Sequence, residues 1–148
     1  MDMRVLSVIN LKGGVAKTIS SVAIAHLLAE KGFRVLLVDN DKQGDASRGY
    51  RRGDEDGAGI DEIMTARRPD MGSLIQHTDF PGLDIITANM KLLKANLEVL
   101  LDQTRQQQTR LKKALEQVRD QYDFCIIDNA PDINISTINA LVASNDVI

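Results

Sequence analysis

Seven consecutive residues, Lys12-Gly13-Gly14-Val15-Ala16-Lys17-Thr18, carry the most legible chemistry in this 148-residue sequence. They follow a short β-branched run, Arg4 to Ile9, and precede a stretch of helical spacing, so they read as the turn between a strand and a helix. Such a turn points several backbone N–H groups inward with a helix N-terminus behind them, an arrangement suited to polyphosphate. Gly13 and Gly14 allow a backbone path and a close approach that side chains would block. Lys17 is placed to reach the β- and γ-phosphates, and the Thr18 hydroxyl to enter the shell of a bound Mg²⁺. Against the usual Gly-x-x-x-x-Gly-Lys-Thr spacing, Leu11 holds the first glycine position and Ala16 the last.

Three carboxylates fit the same site. Asp39 ends a second apolar run, Arg34 to Val38, and Asp128 ends a third, Phe124 to Ile127. In a parallel sheet both strand ends open on the crevice that holds the phosphate turn. Asp128 and Asp39 are therefore expected at the metal, directly or through water. Asp41, two residues further, is placed to orient an attacking water. Any one strand-terminal Asp reads equally well as a helix cap or turn residue; three in register with a phosphate turn do not.

The elements that must position these residues follow from periodicity. From Lys17 to Lys31, Ile19, Val22, Ala23, Leu27 and Leu28 recur at helical spacing, and Gly32 sits where a C-terminal glycine belongs. Strand, glycine turn, helix, glycine and strand form a βαβ unit, which implies parallel pairing and a right-handed crossover. Residues 40–59 hold five glycines and almost no large apolar side chain, and are expected to form a loop with at most a short helix. Ile60 to Met64 reads as one helical turn, Ser73 to His77 as an edge strand and Leu83 to Thr87 as a better strand. Between Lys91 and Leu101, leucines at 92, 93, 97, 100 and 101 predict a helical face, and Leu111, Leu115 and Val118 predict a second helix. Ile135 to Ala143 should be a helix, and Val147-Ile148 the start of a strand. The expected architecture is one α/β domain over residues 1–148, a doubly wound, mostly parallel sheet with helices on both faces.

Composition narrows the function classes. At about 150 residues per domain the length predicts one domain. Eighteen Lys and Arg against 21 Asp and Glu leave a net charge of -3, which argues against a constitutively basic nucleic-acid coat. Residues 91–120 carry seven basic and four acidic side chains, and a solvated helix surface is the plainer reading of that excess. Aromatics make up 3%, too few for a base-stacking platform. The single cysteine, Cys125, excludes an intrachain disulfide and, inside a buried strand, reads as core. His26 reads as a packed structural residue and His77 has no second ligand near in sequence. No apolar run reaches the 18 residues of a membrane span and no signal pattern opens the chain, so a cytoplasmic protein is expected.

The motifs together resemble those of the ParA/MinD class of P-loop ATPases. Lys12 to Lys17 resembles the deviant Walker A motif, lysine-Gly-Gly-x-Gly-Lys-Thr. Asp39-Asn40-Asp41-Lys42-Gln43-Gly44-Asp45-Ala46-Ser47 resembles the Asp-x-Asp-Pro-Gln-Gly-Asn-Ala-Ser stretch of the ParA/Soj partition branch, and Tyr122 to Leu141 its Walker B region and following helix. The resemblance spans essentially the whole chain, and the motifs fall in family order.

It implies a P-loop NTPase fold, ATP and Mg²⁺ as ligands, and weak ATP hydrolysis stimulated by DNA and a ParB-like partner. Lys12 matches the lysine that crosses a nucleotide-sandwich homodimer to the partner's phosphates, a cation supplied in trans as an arginine finger is elsewhere. Lys17 matches the Walker lysine, Thr18 the Mg²⁺ ligand, Asp41 the carboxylate that positions water, and Asp128 the Walker B aspartate. Residues 12 to 19, from Lys12 to Ile19, are expected to wrap the nucleotide. The implied function is a DNA-segregation switch: Mg-ATP drives dimerisation and nonspecific DNA binding on the nucleoid, and hydrolysis reverses it. The alternatives are a MinD-like positioning ATPase, which would need an amphipathic membrane helix, or a degenerate regulatory domain.

Four departures stand out. Ala16 replaces a family glycine, and Asn129-Ala130 replace the usual Thr-Pro. Ile19 replaces a hydroxyl residue that contacts the α-phosphate, a loss of about 0.5–1.5 kcal/mol. The chain stops where family members continue into further strands and the adenine-contacting segment, and is expected to be a fragment lacking that C-terminal portion.

Overall fold

A computed structural model of the chain describes residues 2–9, 15–50, 52 and 56–148, with the side chains of residues 15–17 outside the description. The turn residues Lys12, Gly13 and Gly14 therefore lie outside the described residues, as do the side chains of Val15, Ala16 and Lys17.

The strands are β1 (Arg4–Val8), β2 (Val35–Asn40), β3 (Ile75–His77), β4 (Leu83–Ile86), β5 (Phe124–Asn129) and β6 (Asp146–Val147). The helices are α1 (Val15–Glu30), α2 (Asp45–Gly49), α3 (Ile60–Thr65), α4 (Met71–Leu74), α5 (Lys91–Leu101), α6 (Arg110–Glu116) and α7 (Ile135–Ala143). They build one six-stranded sheet in the order β3-β4-β2-β5-β1-β6. Every pairing is parallel except β3 with β4, which is antiparallel at the edge.

Both faces of the sheet are covered, which is why its central strands read as unbroken apolar runs rather than alternating ones. In β2 the period of two sorts the side chains: Val35 and Leu37 join the cluster beneath α1 with Ala25, Ala29, Ile85 and Ile126. Leu36 and Val38 join the opposite cluster with Ile63, Leu92, Leu111, Cys125 and Ile127, beneath α3, α5 and α6. Each such fully buried side chain is worth about 1.5–3 kcal/mol. The doubly wound, mostly parallel architecture is thus the one the sequence predicts.

Details differ. The strand expected over 73–77 begins only at Ile75, because Ser73 and Leu74 close the short helix α4. On α5 the buried face is Leu92, Ala95 and Val99, while Leu93, Leu97, Leu100 and Leu101 are each more than half exposed. The helix was correctly placed; the side its leucines face was not legible from their recurrence.

Two of the basic residues between 91 and 120 are structural. The Arg110 side chain, 5% exposed, donates to Asp102 Oδ2 at 3.0 Å and to the Met64 carbonyl at 2.8 Å. Arg105 donates to the carbonyls of Thr65 and Ala66, closing the end of α3.

Candidate functional site

The carboxyl ends of β1, β5 and β2 lie side by side, with Val8 opposite Asp128 and Asp128 opposite Asp39 in the ladder. Parallel pairing of three adjacent strands brings together residues far apart in sequence, as the strand-end reading requires. Helix α1 starts above these ends. Ala16 lies within its first turn, so its backbone has right-handed helical geometry.

Asp128 is buried and accepts two hydroxyl donors from α1, Thr18 Oγ1 at 3.0 Å on Oδ2 and Ser21 Oγ at 2.9 Å on Oδ1. The sequence reading named Thr18 and Asp128 but missed Ser21. The available signal was its position one helical turn after Thr18, on the same face.

Asp39 is fully buried and anchors the segment that follows it. Its Oδ2 accepts from the Ser47 backbone N–H at 2.9 Å and from Ser47 Oγ at 2.6 Å, and its Oδ1 from the Asp41 N–H at 3.2 Å. Burial, with a smaller push from the neighbouring Asp128, raises its carboxyl to about 7 against the pull of the Ser47 hydrogen bonds. Ser47 in turn accepts from the Ala88 N–H at 2.9 Å, so one hydroxyl ties α2 to the end of β4. Ser47 was quoted in the motif without a role; its role is this anchorage.

Asp41 is buried at the start of the loop, with Oδ1 accepting from the Gln43 N–H at 3.0 Å. The next residue, Gly44, has φ 67, and a Cβ there would stand 2.7 Å from the Ala88 carbonyl. That is a physical reason for glycine at this place in the motif. A polar ladder runs beside the carboxylates: Asn129 Nδ2 donates to the Val8 carbonyl, and Asn40 Nδ2 donates to Asn129 Oδ1 and the Ser136 carbonyl, both at 2.9 Å. Asn129, which departs from the family pattern, thus cross-links three strand ends. Asn134 caps α7 by accepting from the Thr137 N–H at 2.9 Å.

The donor set suits a hard divalent cation. Two buried carboxylates stand in register on adjacent strands, and the Thr18 hydroxyl donates to one of them. Such an arrangement gains from a cation that offsets the paired charge. Among the described residues no group of three or more His, Cys, Asp or Glu side chains gathers to hold a metal unaided. Mg²⁺ at few protein ligands, completed by water and phosphate, does not need one.

Other residues singled out by sequence are structural. His26 stacks on Tyr50 with ring centroids 5.5 Å apart and leans on Phe80 at 4.2 Å. These rings and the outer face of α1, from Thr18 to Ala23, line a groove of about 630 Å³. His77 Nδ1 lies 2.7 Å from Asp84 Oδ1. Cys125 is buried, and burial pushes its thiol far up. No described helix is long and apolar enough to cross a membrane.

A mostly parallel sheet with two buried aspartates at adjacent strand ends, one of them bonded to a threonine in the first turn of α1, in a chain with a lysine- and glycine-rich sequence between β1 and α1, is that of a P-loop NTPase. The chain belongs to the AAA domain family (AAA_31), whose model it matches over residues 3–148.

Its relatives include the sporulation initiation inhibitor protein Soj of Bacillus subtilis (strain 168), 39% identical over 147 residues, covering 98% of this chain and 56% of Soj. Among solved structures, cobyrinic acid a,c-diamide synthase from Mycobacterium smegmatis, with a bound ATP analogue and magnesium, superposes with a TM-score of 0.89 at 35% identity. That match covers 98% of this chain and 58% of the synthase. A plasmid partition protein from Borrelia burgdorferi superposes with a TM-score of 0.85 at 27% identity, covering 98% of this chain and 64% of that one. The chain is thus a relative of the ParA/Soj partition ATPases and spans about half the length of the curated relatives it matches.

Proposed function

We propose that the protein is an ATP-hydrolysing switch for DNA segregation, acting in the cytoplasm on the nucleoid. The observation that carries the reading is the placement of Asp128 and Asp39 at adjacent strand ends, with Thr18 of α1 bonded to Asp128 and Asp41 at the head of the loop that Asp39 anchors.

Thr18 and Asp128, with Asp39 behind them, would hold Mg²⁺, which when bound supplies charge neutralisation on the phosphates. The segment from Lys12 to Lys17, which runs into the first turn of α1, would wrap the phosphates with backbone N–H groups, and Lys17 would pair with the terminal ones. Asp41 orients the attacking water and accepts its proton. Lys12 reaches across an ATP-dependent homodimer to the partner's phosphates, so that hydrolysis waits on dimerisation. The dimer binds nonspecific DNA with the salt dependence of counterion release, and a ParB-like protein stimulates hydrolysis and release.

The test is particle mass by light scattering, in Mg-ADP and then in Mg²⁺ with a nonhydrolysable ATP analogue, for the wild type and Lys12→Ala. A dimer only with the analogue, lost in the variant, supports the switch. A monomer throughout overturns it.

A further inference from the structure

One pair of side chains beside the candidate site is not explained by stability. Asn40 and Asn129 stand opposite each other on the last rung of the β2–β5 ladder, and both are fully buried. Strand alternation turns them to the face opposite Asp39 and Asp128, the face of Leu36 and Val38 in β2 and of Cys125 and Ile127 in β5. An apolar pair would continue that core.

The Asn40 amide is instead half satisfied. Its Nδ2 donates to Asn129 Oδ1 and to the Ser136 carbonyl, both at 2.9 Å, while its Oδ1 is buried and meets no donor among the described residues. A buried acceptor without a donor loses its hydration and gains nothing in exchange. A half-paired amide is therefore worse for stability than an apolar side chain of the same shape. Such local conflicts concentrate at functional sites.

The bonds that are made hold the segments of the site together. β2 and β5 part after this rung. Asn40 is followed by Asp41 and the turn to α2, whereas Asn129 follows Asp128 and leads into the connection to α7. Asn129 Nδ2 also donates to the Val8 carbonyl at 3.2 Å, at the end of β1, and Ser136 lies in the first turn of α7. Two amides thus clamp three strand ends and one helix start at the point where the segments bearing Asp41 and Asp128 diverge.

We infer that Asn40 and Asn129 are positioning residues for hydrolysis, fixing Asp41 and the water it orients against the cation at Thr18 and Asp128; the inference rests on the hydrolytic reading proposed above. The pair lies on the α7 side of the sheet, while Thr18 and Ser21 approach Asp128 from the α1 side. It therefore takes no part in holding nucleotide or metal, and its effect falls on turnover. A displacement of about 1 Å between reacting groups loses on the order of 10²-fold in rate, the scale on which such a clamp matters.

The experiment compares the wild type with two variants of the intact protein. Asn40→Leu removes the orphaned acceptor but takes a donor from Asn129 Oδ1, so Asn40→Leu/Asn129→Leu, which leaves neither amide behind, is measured beside it. Each protein is read by its urea midpoint, its affinity for a fluorescent ATP analogue in Mg²⁺, and phosphate release at saturating Mg-ATP with and without DNA. The expected result, in one variant at least, is a midpoint no lower than that of the wild type, unchanged nucleotide affinity, and turnover lowered about tenfold or more. Wild-type turnover in both variants overturns the inference and leaves the hydrolytic reading standing. So does a loss of turnover that follows the midpoint or the affinity in both, since the pair then serves the fold alone. A wild type that binds the analogue and releases no phosphate in either condition overturns the inference together with that reading.

Discussion

The Thr18 hydroxyl donates to Asp128 Oδ2 at 3.0 Å, joining the first turn of α1 to the end of β5 across 110 residues of sequence. Ser21 holds the other oxygen of the same carboxylate. The aspartate is therefore aimed before any ligand arrives, so Thr18 and Asp128 would hold a divalent cation without first ordering a loose side chain.

Thr18→Val keeps the shape of the side chain and removes the donor. Nucleotide affinity in Mg²⁺ should fall by about tenfold, the equivalent of one hydrogen bond to a charged group, while affinity measured in EDTA stays close to that of the wild type. An equal loss in both conditions would show that the substitution damages the turn rather than the metal site.

Under the proposed switch, Asp41 orients the attacking water and does not bind phosphate. Asp41→Ala should lower ATP turnover by about 10²–10⁴, with little change in nucleotide affinity. Phosphate release and equilibrium titration, run side by side, separate the two quantities; a variant that loses binding in step with turnover contradicts the assignment.

Ser47 is a stability prediction. Its hydroxyl bridges Asp39 and the Ala88 N–H inside the protein, both groups being buried. Ser47→Ala leaves the Ala88 donor unpaired and should cost about 1–3 kcal/mol in urea unfolding. A cost near zero would mean that water satisfies those groups.

Acid sensitivity is expected at Asp102, just beyond α5. Hydrogen bonds from the Thr104 side chain and N–H, with Arg110 alongside, hold its carboxyl well below the usual range. The folded form thus binds this proton later than the unfolded chain does. The stabilisation is complete above the unfolded value of about 4 and is lost progressively as pH falls below it. Asp102→Asn should be less stable than the wild type near neutrality and should show a flatter decline in acid. Urea midpoints across that range test it, and parallel curves for the two proteins would contradict it.

Much of the candidate site was legible because its signals are local. The lysine and glycine turn sits between an apolar run and a helical repeat, and strand-terminal aspartates announce themselves by ending such runs. The anchoring of Asp39 was not legible: Ser47 lies eight residues away on a five-residue helix whose residues carry no strong periodicity. Nor was the structural use of Arg105 and Arg110, since charge counted along a chain does not say which guanidinium finds a buried carbonyl.

The sequence by itself determined the kinds of elements, their order and the parallel βαβ start, because backbone preference and side-chain period act within a few residues. Tertiary structure alone decided that β2 and β5 are neighbours, which sets Asp39 against Asp128. It also decided which of the α5 leucines turn inward. A helix with two apolar faces satisfies its own periodicity whichever way it is rotated, and only packing against α3 and the sheet selects one.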